Sequence, residues 1–314
     1  MKRLRLFRFA SLLVCLFASS ALAADEPYTR QEDVIYGRKY GTALTMDVFT
    51  PTEGANGAAV VLCVSGGWIS NHDQIQPGIY SDLLKRGYTV FAVVHGSQPK
   101  FTIPECVADM NRAVRFIRYN AEKFKIDPNR IGITGASAGG HLSLMMGCAG
   151  TEGDSSSKDP VERVSSRVQA VGCFFPPTDF LNYGEEGKKS LGIEPEHQFK
   201  APFDFRVQDK LTKLFKPVDL PEREQICKDM SPCNHVTKDD APTLIIHGDA
   251  DKLVPLQQSQ LIIDRLQKAG VPAKLVVKEG AGHGWMTILD DFKTIGEWFD
   301  QYLKNPQATA QAGG

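Results

Sequence analysis

The stretch Ile131-Gly-Ile-Thr-Gly-Ala-Ser-Ala-Gly-Gly-His-Leu142 decides the fold of this chain. An apolar run typical of a buried strand leads into the pattern G-x-S-x-G around Ser137, and a second apolar run typical of a helix follows it. A serine hydroxyl is a weak nucleophile unless a sharp strand-to-helix turn presents it to a base. Glycines flank the serine because a Cβ atom would clash in so tight a turn. The stretch therefore predicts a nucleophilic Ser137, with a simple helix N-cap as the alternative role.

Two later stretches supply an acid and a histidine. His247-Gly-Asp-Ala-Asp251 and Ala281-Gly-His-Gly-Trp285 each follow an apolar run that is typical of a strand. The carboxyl ends of parallel strands meet at one edge of a sheet, so these side chains are expected beside Ser137. In such a triad His283 acts as the base, and Asp251 orients its imidazole. Packing alone is the alternative role for His283, and Asp249 is expected to stabilise the turn rather than to serve the histidine.

The chain order Ser, Asp, His and the stretches around these residues resemble those of a known family. The sequence resembles the α/β-hydrolases, in the secreted carboxylesterase group of acetyl-esterase-like and feruloyl-esterase-like enzymes. This group is related to hormone-sensitive lipases and to the catalytic domains of prolyl oligopeptidases. The resemblance covers roughly residues 43–303 and is carried by these stretches: Asp127–Ile131, Gly135–His141, Pro176–Asp179, His247–Asp251 with Val254–Pro255, and Gly282–Gly284. It implies a mostly parallel central sheet with helices on both faces and a cap insertion.

The resemblance also suggests where an oxyanion hole would form. Such a hole needs two backbone N–H groups aimed at the developing negative charge. Ala138, which follows the nucleophile, supplies one of them, and the loop Ser65-Gly66-Gly67-Trp68 is expected to supply the other from Gly66 or Gly67. Related esterases carry His-Gly-Gly-Gly in this loop. This chain lacks that histidine, so its sequence does not show what orients the loop.

A long segment from about residue 180 to residue 238 interrupts the alternation of strands and helices. Connections within an α/β core are usually short, so the segment is interpreted as a cap over the site. Its Phe203 and Phe215, with Trp68 and Trp285 outside it, are candidate walls of a substrate pocket. Packing of the cap onto the body is an equally good interpretation. Cys227 and Cys233 lie close together in the cap, and a disulfide between them is expected in an oxidising compartment.

Neither a metal nor a cofactor is expected. The seven histidines show no H-x-x-x-H pattern and no clustering with cysteines. No G-x-G-x-x-G sequence and no phosphate-binding loop occurs, so no nucleotide cofactor is indicated. His141 falls on the first turn of the helix after Ser137, where an interior structural role is expected rather than that of a second base.

The chain ends predict processing and export. Residues 1–23 have the basic start, apolar centre and Ala-Leu-Ala end of a signal peptide, which indicates a secreted or periplasmic protein. Residues 24–304 then form one α/β-hydrolase domain, and the polar residues 305–314 read as a disordered tail. The full chain has 36 basic and 37 acidic residues, and four of the basic ones lie in the signal peptide. No basic run remains for nucleic acid or an anionic membrane.

These observations together predict a secreted serine carboxylesterase. It would hydrolyse short-chain or aromatic esters through an acyl-enzyme, with acyl groups on polysaccharides as candidate substrates. One alternative is a serine peptidase like the prolyl oligopeptidases, although the chain is too short for their propeller domain. The other is a non-catalytic binding module on a hydrolase fold, although such a module would be expected to lack a member of the triad. Oligomeric state leaves no signal in the sequence.

Overall fold

A computed structural model describes residues 26–192 and 206–304 of the chain. The predicted signal peptide, the predicted tail and Phe203 lie outside these described residues. Ten strands occur in chain order: β1 (Tyr28–Lys39), β2 (Thr42–Pro51), β3 (Ala59–Val64), β4 (Thr89–Val94), β5 (Ile131–Ala136), β6 (Ala170–Phe174), β7 (Arg206–Gln208), β8 (Phe215–Pro217), β9 (Thr243–Gly248) and β10 (Ala273–Lys278). Seven α-helices accompany them: α1 (Ser81–Lys85), α2 (Ile103–Tyr119), α3 (Ala121–Phe124), α4 (Ala138–Ala149), α5 (Leu220–Asp229), α6 (Leu256–Lys268) and α7 (Phe292–Phe299).

Eight of the strands form one sheet in the order β1-β2-β4-β3-β5-β6-β9-β10. The strands from β4 to β10 in this order are parallel, while β1 and β2 are antiparallel additions at one edge. The apolar runs that the sequence analysis interpreted as strands are strands of this sheet, and β5 lies near its centre. Because the strands are parallel, the residues after β3, β5, β9 and β10 all emerge at the same edge.

Helices cover both faces of the sheet and bury its apolar side chains in two clusters. One cluster holds buried residues of α2, α4 and α6, such as Met110, Leu142 and Ile262. The other holds residues of α1 and α7, such as Leu83 and Phe299. The strands in the middle of the sheet are mostly apolar because they are buried on both sides. This arrangement is the predicted α/β-hydrolase fold.

Helix α2 shows how tertiary contacts override helix-surface pairing. Asp109 is followed on its own helix by Arg112 three residues later, a spacing that favours an ion pair, but its carboxylate accepts hydrogen bonds from Lys39 Nζ at 2.7 Å and from the Gly96 amide at 2.8 Å. Arg112 and Arg115 instead bind Glu162. Asp109 is buried and faces the ends of the strands. The two arginines lie nearer the solvent.

The segment between β6 and β9 contains the hairpin β7–β8 and helix α5. Asp219 caps α5 by accepting a hydrogen bond from the Glu222 amide at 2.9 Å. Cys227 and Cys233 are both buried in the cluster on the α2 face, and no disulfide joins them. The expected bond is therefore absent, and the two side chains pack as small apolar groups. None of the described helices combines the length and the apolar character needed to cross a bilayer.

Candidate active site at the carboxyl edge of the sheet

The turn between β5 and α4 holds Ser137 in an unusual conformation. Ser137 has φ 54° and ψ −118°, a region that side-chain-bearing residues rarely adopt. Two glycines make this turn feasible. A Cβ on Gly135 would lie 2.5 Å from the Gly139 backbone, and one on Gly139 would lie 2.7 Å from the Cys63 carbonyl oxygen. The close packing of elbow, helix and β3 thus explains both glycines of the G-x-S-x-G pattern.

The structure brings together the three side chains that the sequence singled out. The Ser137 Oγ lies 3.0 Å from His283 Nε2, and His283 Nδ1 lies 2.7 Å from Asp251 Oδ2. With the Nδ1–H donating to Asp251, the Nε2 lone pair faces the serine hydroxyl. This is the tautomer in which an imidazole can accept the proton of a serine.

Asp251 is buried and heavily hydrogen-bonded. Its Oδ1 accepts from the amides of Leu253 at 2.8 Å and Val254 at 3.0 Å, and its Oδ2 also lies 3.3 Å from His247 Nε2. Burial alone would raise the pKa of the Asp251 carboxyl. The hydrogen bonds from His247, His283 and the Val254 amide outweigh it and hold this pKa well below its usual range. The carboxylate therefore stays ionised at any pH at which an imidazole base works.

His283 is presented by a tight turn and held by an aromatic ring. The Gly284 amide donates to the Gly282 carbonyl at 2.8 Å, and Gly284 adopts φ 116°. The ring of Phe175, which follows β6, packs 4.4 Å from the imidazole between ring centroids. The sequence analysis did not single out Phe175, because as the end of an apolar run it looks like any other strand residue.

Asp249 has a different partner from Asp251. Its Oδ1 accepts a hydrogen bond from the Gly280 amide at 2.7 Å, which ties the loop after β9 to the loop after β10. The sequence analysis expected Asp249 to stabilise its own turn. In the structure it holds the neighbouring loop, which carries the histidine.

The loop after β3 forms a two-residue hairpin turn. The Gly66 amide donates to the Ile69 carbonyl at 3.0 Å, and the Ile69 amide donates back to Gly66 at 2.9 Å. The Gly66 N–H is therefore already occupied. Within the described residues, no backbone acceptor is recorded for the amides of Gly67 and Ala138. Of the candidates from the sequence, these two remain available to bind an oxyanion.

Three side-chain contacts tie this loop to its surroundings. Ser65 Oγ lies 2.8 Å from Nε2 of the buried His95, whose Nδ1–H donates to the Gly96 carbonyl at 2.9 Å. Gln98 Nε2 donates to the Gly67 carbonyl, and the Trp68 indole donates to His141. Burial lowers the pKa of His95 to about 4, so this histidine is neutral. These bonds orient the loop in place of the absent family histidine.

The candidate pocket residues do not gather around Ser137. Trp68 has no exposed surface, so it packs inside the protein and cannot line a pocket. Trp285 donates to Asp291 Oδ2 at 2.7 Å and packs on Phe175. Phe215 contacts Tyr40 and lines a cavity of about 790 Å³ whose walls include no residue of the triad or of the loop after β3. Phe203 lies outside the described residues.

A smaller apolar cavity, of about 300 Å³, lies directly beside the elbow. Ser65, Gly66, Gly135 and Ala136 form its polar and backbone side, and Ala136 immediately precedes Ser137. Its apolar walls are Leu62, Val64, Ile79, Phe174, Ile288, Leu289 and Phe292. Residues before α1 and before α7 complete the cavity. The sequence analysis missed them because they lie in irregular segments without a periodic pattern.

One group of side chains in the described residues has the spacing to share a cation. It consists of Asp33, Asp47 and His72 at the β1–β2 edge of the sheet. Asp47 is buried, and its Oδ2 accepts a hydrogen bond from Arg30 Nε at 2.9 Å. The guanidinium already balances this carboxylate, so the group forms an ion-pair network.

The fold and the comparisons with known proteins define the class, which is that of the α/β-hydrolases. Residues 46–266 match the BD-FAE family, and the chain belongs to this family. A second match, to the TAP-like protein family, covers residues 224–313.

Two relatives of the chain with similar sequences are named as ester hydrolases. The probable carboxylic ester hydrolase LipM of Mycobacterium tuberculosis is 29% identical over 77% of this chain and 52% of its own length. Esterase LipC of the same organism is 27% identical over 85% of this chain and 62% of its own length. The chain thus spans between half and two thirds of these two relatives. A solved structure, a truncated carbohydrate esterase from gut microbiota, is 29% identical with a TM-score of 0.71, covering 91% of this chain and 99% of that one.

Proposed function

We propose that this protein hydrolyses carboxylic esters through an acyl-enzyme formed on Ser137. The observation that carries the proposal is the continuous chain of contacts from the Ser137 hydroxyl through the His283 imidazole to the Asp251 carboxylate, at 3.0 and 2.7 Å. The two distances are within hydrogen-bond reach, and the orienting acid is buried and ionised.

In the first half-reaction Ser137 Oγ attacks the ester carbonyl carbon while His283 Nε2 takes the hydroxyl proton. The tetrahedral intermediate collapses when the C–O bond to the alcohol breaks, and His283 returns its proton to the leaving alkoxide. In the second half-reaction a water attacks the acyl-enzyme, with His283 again as the base, and releases the carboxylic acid and free Ser137.

Two amides would stabilise the negative oxygen of each intermediate. Ala138 occupies the first position of α4, where an amide has no partner within the helix. Gly67 lies in the hairpin turn after β3. Removal of one donor from such a hole typically costs about 10²- to 10³-fold in turnover, so the conformation of this turn matters for rate.

We assign the acyl group to the 300 Å³ cavity because its walls are apolar and it begins next to the nucleophile. Its size suits a short aliphatic chain or a single aromatic ring. The likeness to a carbohydrate esterase supports acyl groups on polysaccharides as substrates. The sequence of residues 1–23 supports a site of action outside the cytoplasm, in the periplasm or the medium.

The two alternative functions receive less support. A non-catalytic module has no need for three aligned side chains, and here all three are aligned. A serine peptidase would use the same triad, so the choice between an esterase and a peptidase rests on the relatives, which are esterases.

Ester hydrolysis by wild type and Ser137→Ala tests the proposal. Rates on p-nitrophenyl acetate, butyrate and octanoate, on methyl ferulate and on acetylated xylan would be measured beside rates on peptide p-nitroanilides. We expect turnover of esters by the wild type and none by Ser137→Ala, because alanine fits the elbow but lacks the hydroxyl. Equal rates for the two proteins would place the nucleophile elsewhere, and turnover of the anilides alone would favour the peptidase.

A further inference from the structure

The backbone of the turn after β3 is strained at Trp68, a residue with a large side chain. Gly67 and Trp68 adopt φ 56° and 58°, which with the paired Gly66–Ile69 hydrogen bonds gives a turn of type I′. Glycine and asparagine tolerate this left-handed region, whereas a bulky residue is strained there. Contacts of the Trp68 side chain must therefore hold the turn in this shape.

The Trp68 side chain is anchored to the helix that begins at the nucleophile. Its indole is fully buried, and Nε1–H donates to His141 Nδ1 at 3.1 Å. The two rings also meet edge to face, with centroids 5.3 Å apart. The His141 amide donates to the Ser137 carbonyl at 2.9 Å, so the anchor lies one helical turn beyond the elbow.

A hydrogen bond from the other ring nitrogen of His141, Nε2, fixes the tautomer of the imidazole. Nε2–H donates to the Met230 carbonyl at 2.7 Å, just after α5 in the segment between β6 and β9. With Nε2 protonated, Nδ1 is free to accept the indole N–H. Burial lowers the pKa of His141 to about 4, so the neutral ring is the form present at neutral pH.

We propose that His141 is a positioning residue: by accepting the Trp68 indole N–H it holds the turn in the shape that aims the Gly67 amide at the oxyanion. The inference rests on the proposed function, because it assumes that the Gly67 amide binds the reacting oxygen. It also explains how the chain manages without the histidine that its relatives carry in this loop. Gln98, whose side-chain amide donates to the Gly67 carbonyl, is a second anchor of the same turn.

Two amide substitutions separate the two hydrogen bonds of His141. The side-chain oxygen of His141→Asn can occupy the place of Nδ1, which keeps the acceptor for Trp68 and loses the donor to Met230. The side-chain nitrogen of His141→Gln can occupy the place of Nε2, which keeps the donor to Met230 and loses the acceptor. Each variant retains one of the two bonds, so each loses a similar share of fold stability.

Steady-state kinetics and the affinity of an inhibitor measure how well the oxyanion hole stabilises a negative oxygen. For His141→Gln we expect kcat on p-nitrophenyl acetate to fall roughly 10- to 100-fold, with KM changed less than about 3-fold. A misdirected donor should lower the rate by less than the complete removal of a donor does. The Ki of an aryl trifluoromethyl ketone, whose adduct with Ser137 carries an oxyanion, should rise by a similar factor. For His141→Asn we expect both values within about 3-fold of wild type.

Two further variants are needed: Trp68→Phe tests whether the losses add, and His235→Gln is a control. Trp68→Phe removes the indole N–H but keeps a buried ring, and its loss of kcat should not add to that of His141→Gln because both break the same bond. His235 also donates from Nε2 to a backbone carbonyl, that of Asp229 at 2.6 Å, and His235→Gln should leave kcat unchanged.

Three results would overturn the inference: equal kcat in His141→Gln and wild type, equal losses in His141→Asn and His141→Gln, or additive losses with Trp68→Phe. If the histidine variants do not fold, Trp68→Phe alone decides, because an unchanged inhibitor Ki in that variant contradicts the role of the indole bond. A wild type without esterase activity is a separate outcome, which overturns the proposed function instead.

Discussion

Two cavities of this protein, one beside the hairpin β7–β8 and one beside Ser137, differ in size and in what surrounds them. The larger, of about 790 Å³, lies between the hairpin β7–β8, helix α5 and the start of α2. The smaller, of about 300 Å³, is built on the ends of β3 and β5 beside Ser137. Charged side chains such as Lys210 and Glu222 line the larger one, whereas apolar side chains and backbone line the smaller.

The comparison teaches that chemistry rather than volume locates the site. The smaller cavity begins at Gly135 and Ala136, directly before Ser137, and reaches Ser65 and Gly66 of the loop after β3. The loops after β9 and β10, which carry Asp251 and His283, are joined by a hydrogen bond from the Gly280 amide to Asp249 at 2.7 Å. The larger cavity has exposed apolar residues at its rim, with Leu211 91% exposed, and no catalytic side chain within its walls.

The largest expected effect concerns the two aspartates in the loop after β9. Asp251→Asn should lower kcat on p-nitrophenyl acetate by about 10⁴-fold, because the amide cannot orient and balance the imidazolium of His283. Asp249→Asn is the matched control. It should lower the melting temperature modestly, because an uncharged amide oxygen accepts the Gly280 N–H more weakly than a carboxylate does, and it should leave most of the activity. Steady-state kinetics and thermal melts check both, and the reverse pattern would make Asp249 the orienting acid.

Acid should destabilise the folded protein through two buried histidines. Burial lowers the pKa of His95 and of His141 to about 4 from an ordinary value of 6.5, so the unfolded chain takes up these protons before the folded one does. The free energy of unfolding should be constant with respect to these two groups above about pH 6.5. It should then fall by up to about 3 kcal/mol for each histidine as the pH drops to 4.

Urea titrations of wild type and His95→Gln between pH 4 and pH 7.5 measure this decline. The variant should be less stable at neutral pH, because it loses the bonds of the imidazole, but its stability should fall less steeply with acid. If the free energy of unfolding depends on pH with the same slope in the two proteins, protonation of His95 does not contribute to the loss of stability in acid.

Substrate size should depend on the smaller cavity alone. Leu289→Trp fills its mouth and should lower the ratio of kcat/KM on p-nitrophenyl octanoate to that on acetate by roughly 10-fold, if the acyl chain enters there. Leu211→Trp makes the same change in the wall of the larger cavity and should leave the ratio unaltered. A shift with Leu211→Trp and none with Leu289→Trp would exchange the roles of the two cavities.

The smallest effect is expected for Phe215→Ala. Phe215 is 41% exposed and packs edge to face on Tyr40, with centroids 5.7 Å apart. We expect less than about 2-fold change on acetate, butyrate and octanoate esters and a modest loss of stability. A selective loss on octanoate, measured by the same assays, would extend the acyl site toward the hairpin.

The sequence predicted the fold and the three central side chains because these depend on local signals. A strand, a turn with glycines and a helix follow one another around Ser137, and the chain order of the triad fixes which strand ends meet. Asp251 and His283 were predicted for the same reason. Each stands a fixed number of residues after an apolar strand.

The contacts that complete the site are not local, and the sequence did not reveal them. Trp68 was a candidate pocket residue, but the left-handed turn sends its indole inward to His141. The partner of Ser65 is His95, thirty residues away at the end of the neighbouring strand. Pairings of this kind follow from strand order, which single residues do not encode.

The central claim is that Ser137 is the residue to which the acyl group becomes attached. Treatment of the wild-type protein with a fluorophosphonate, followed by mass spectrometry of its peptides, tests this most directly. We expect one adduct per chain, located on Ser137, with labelling abolished in Ser137→Ala and slowed greatly in His283→Ala. An adduct on another residue, or undiminished labelling of Ser137→Ala, would contradict the account.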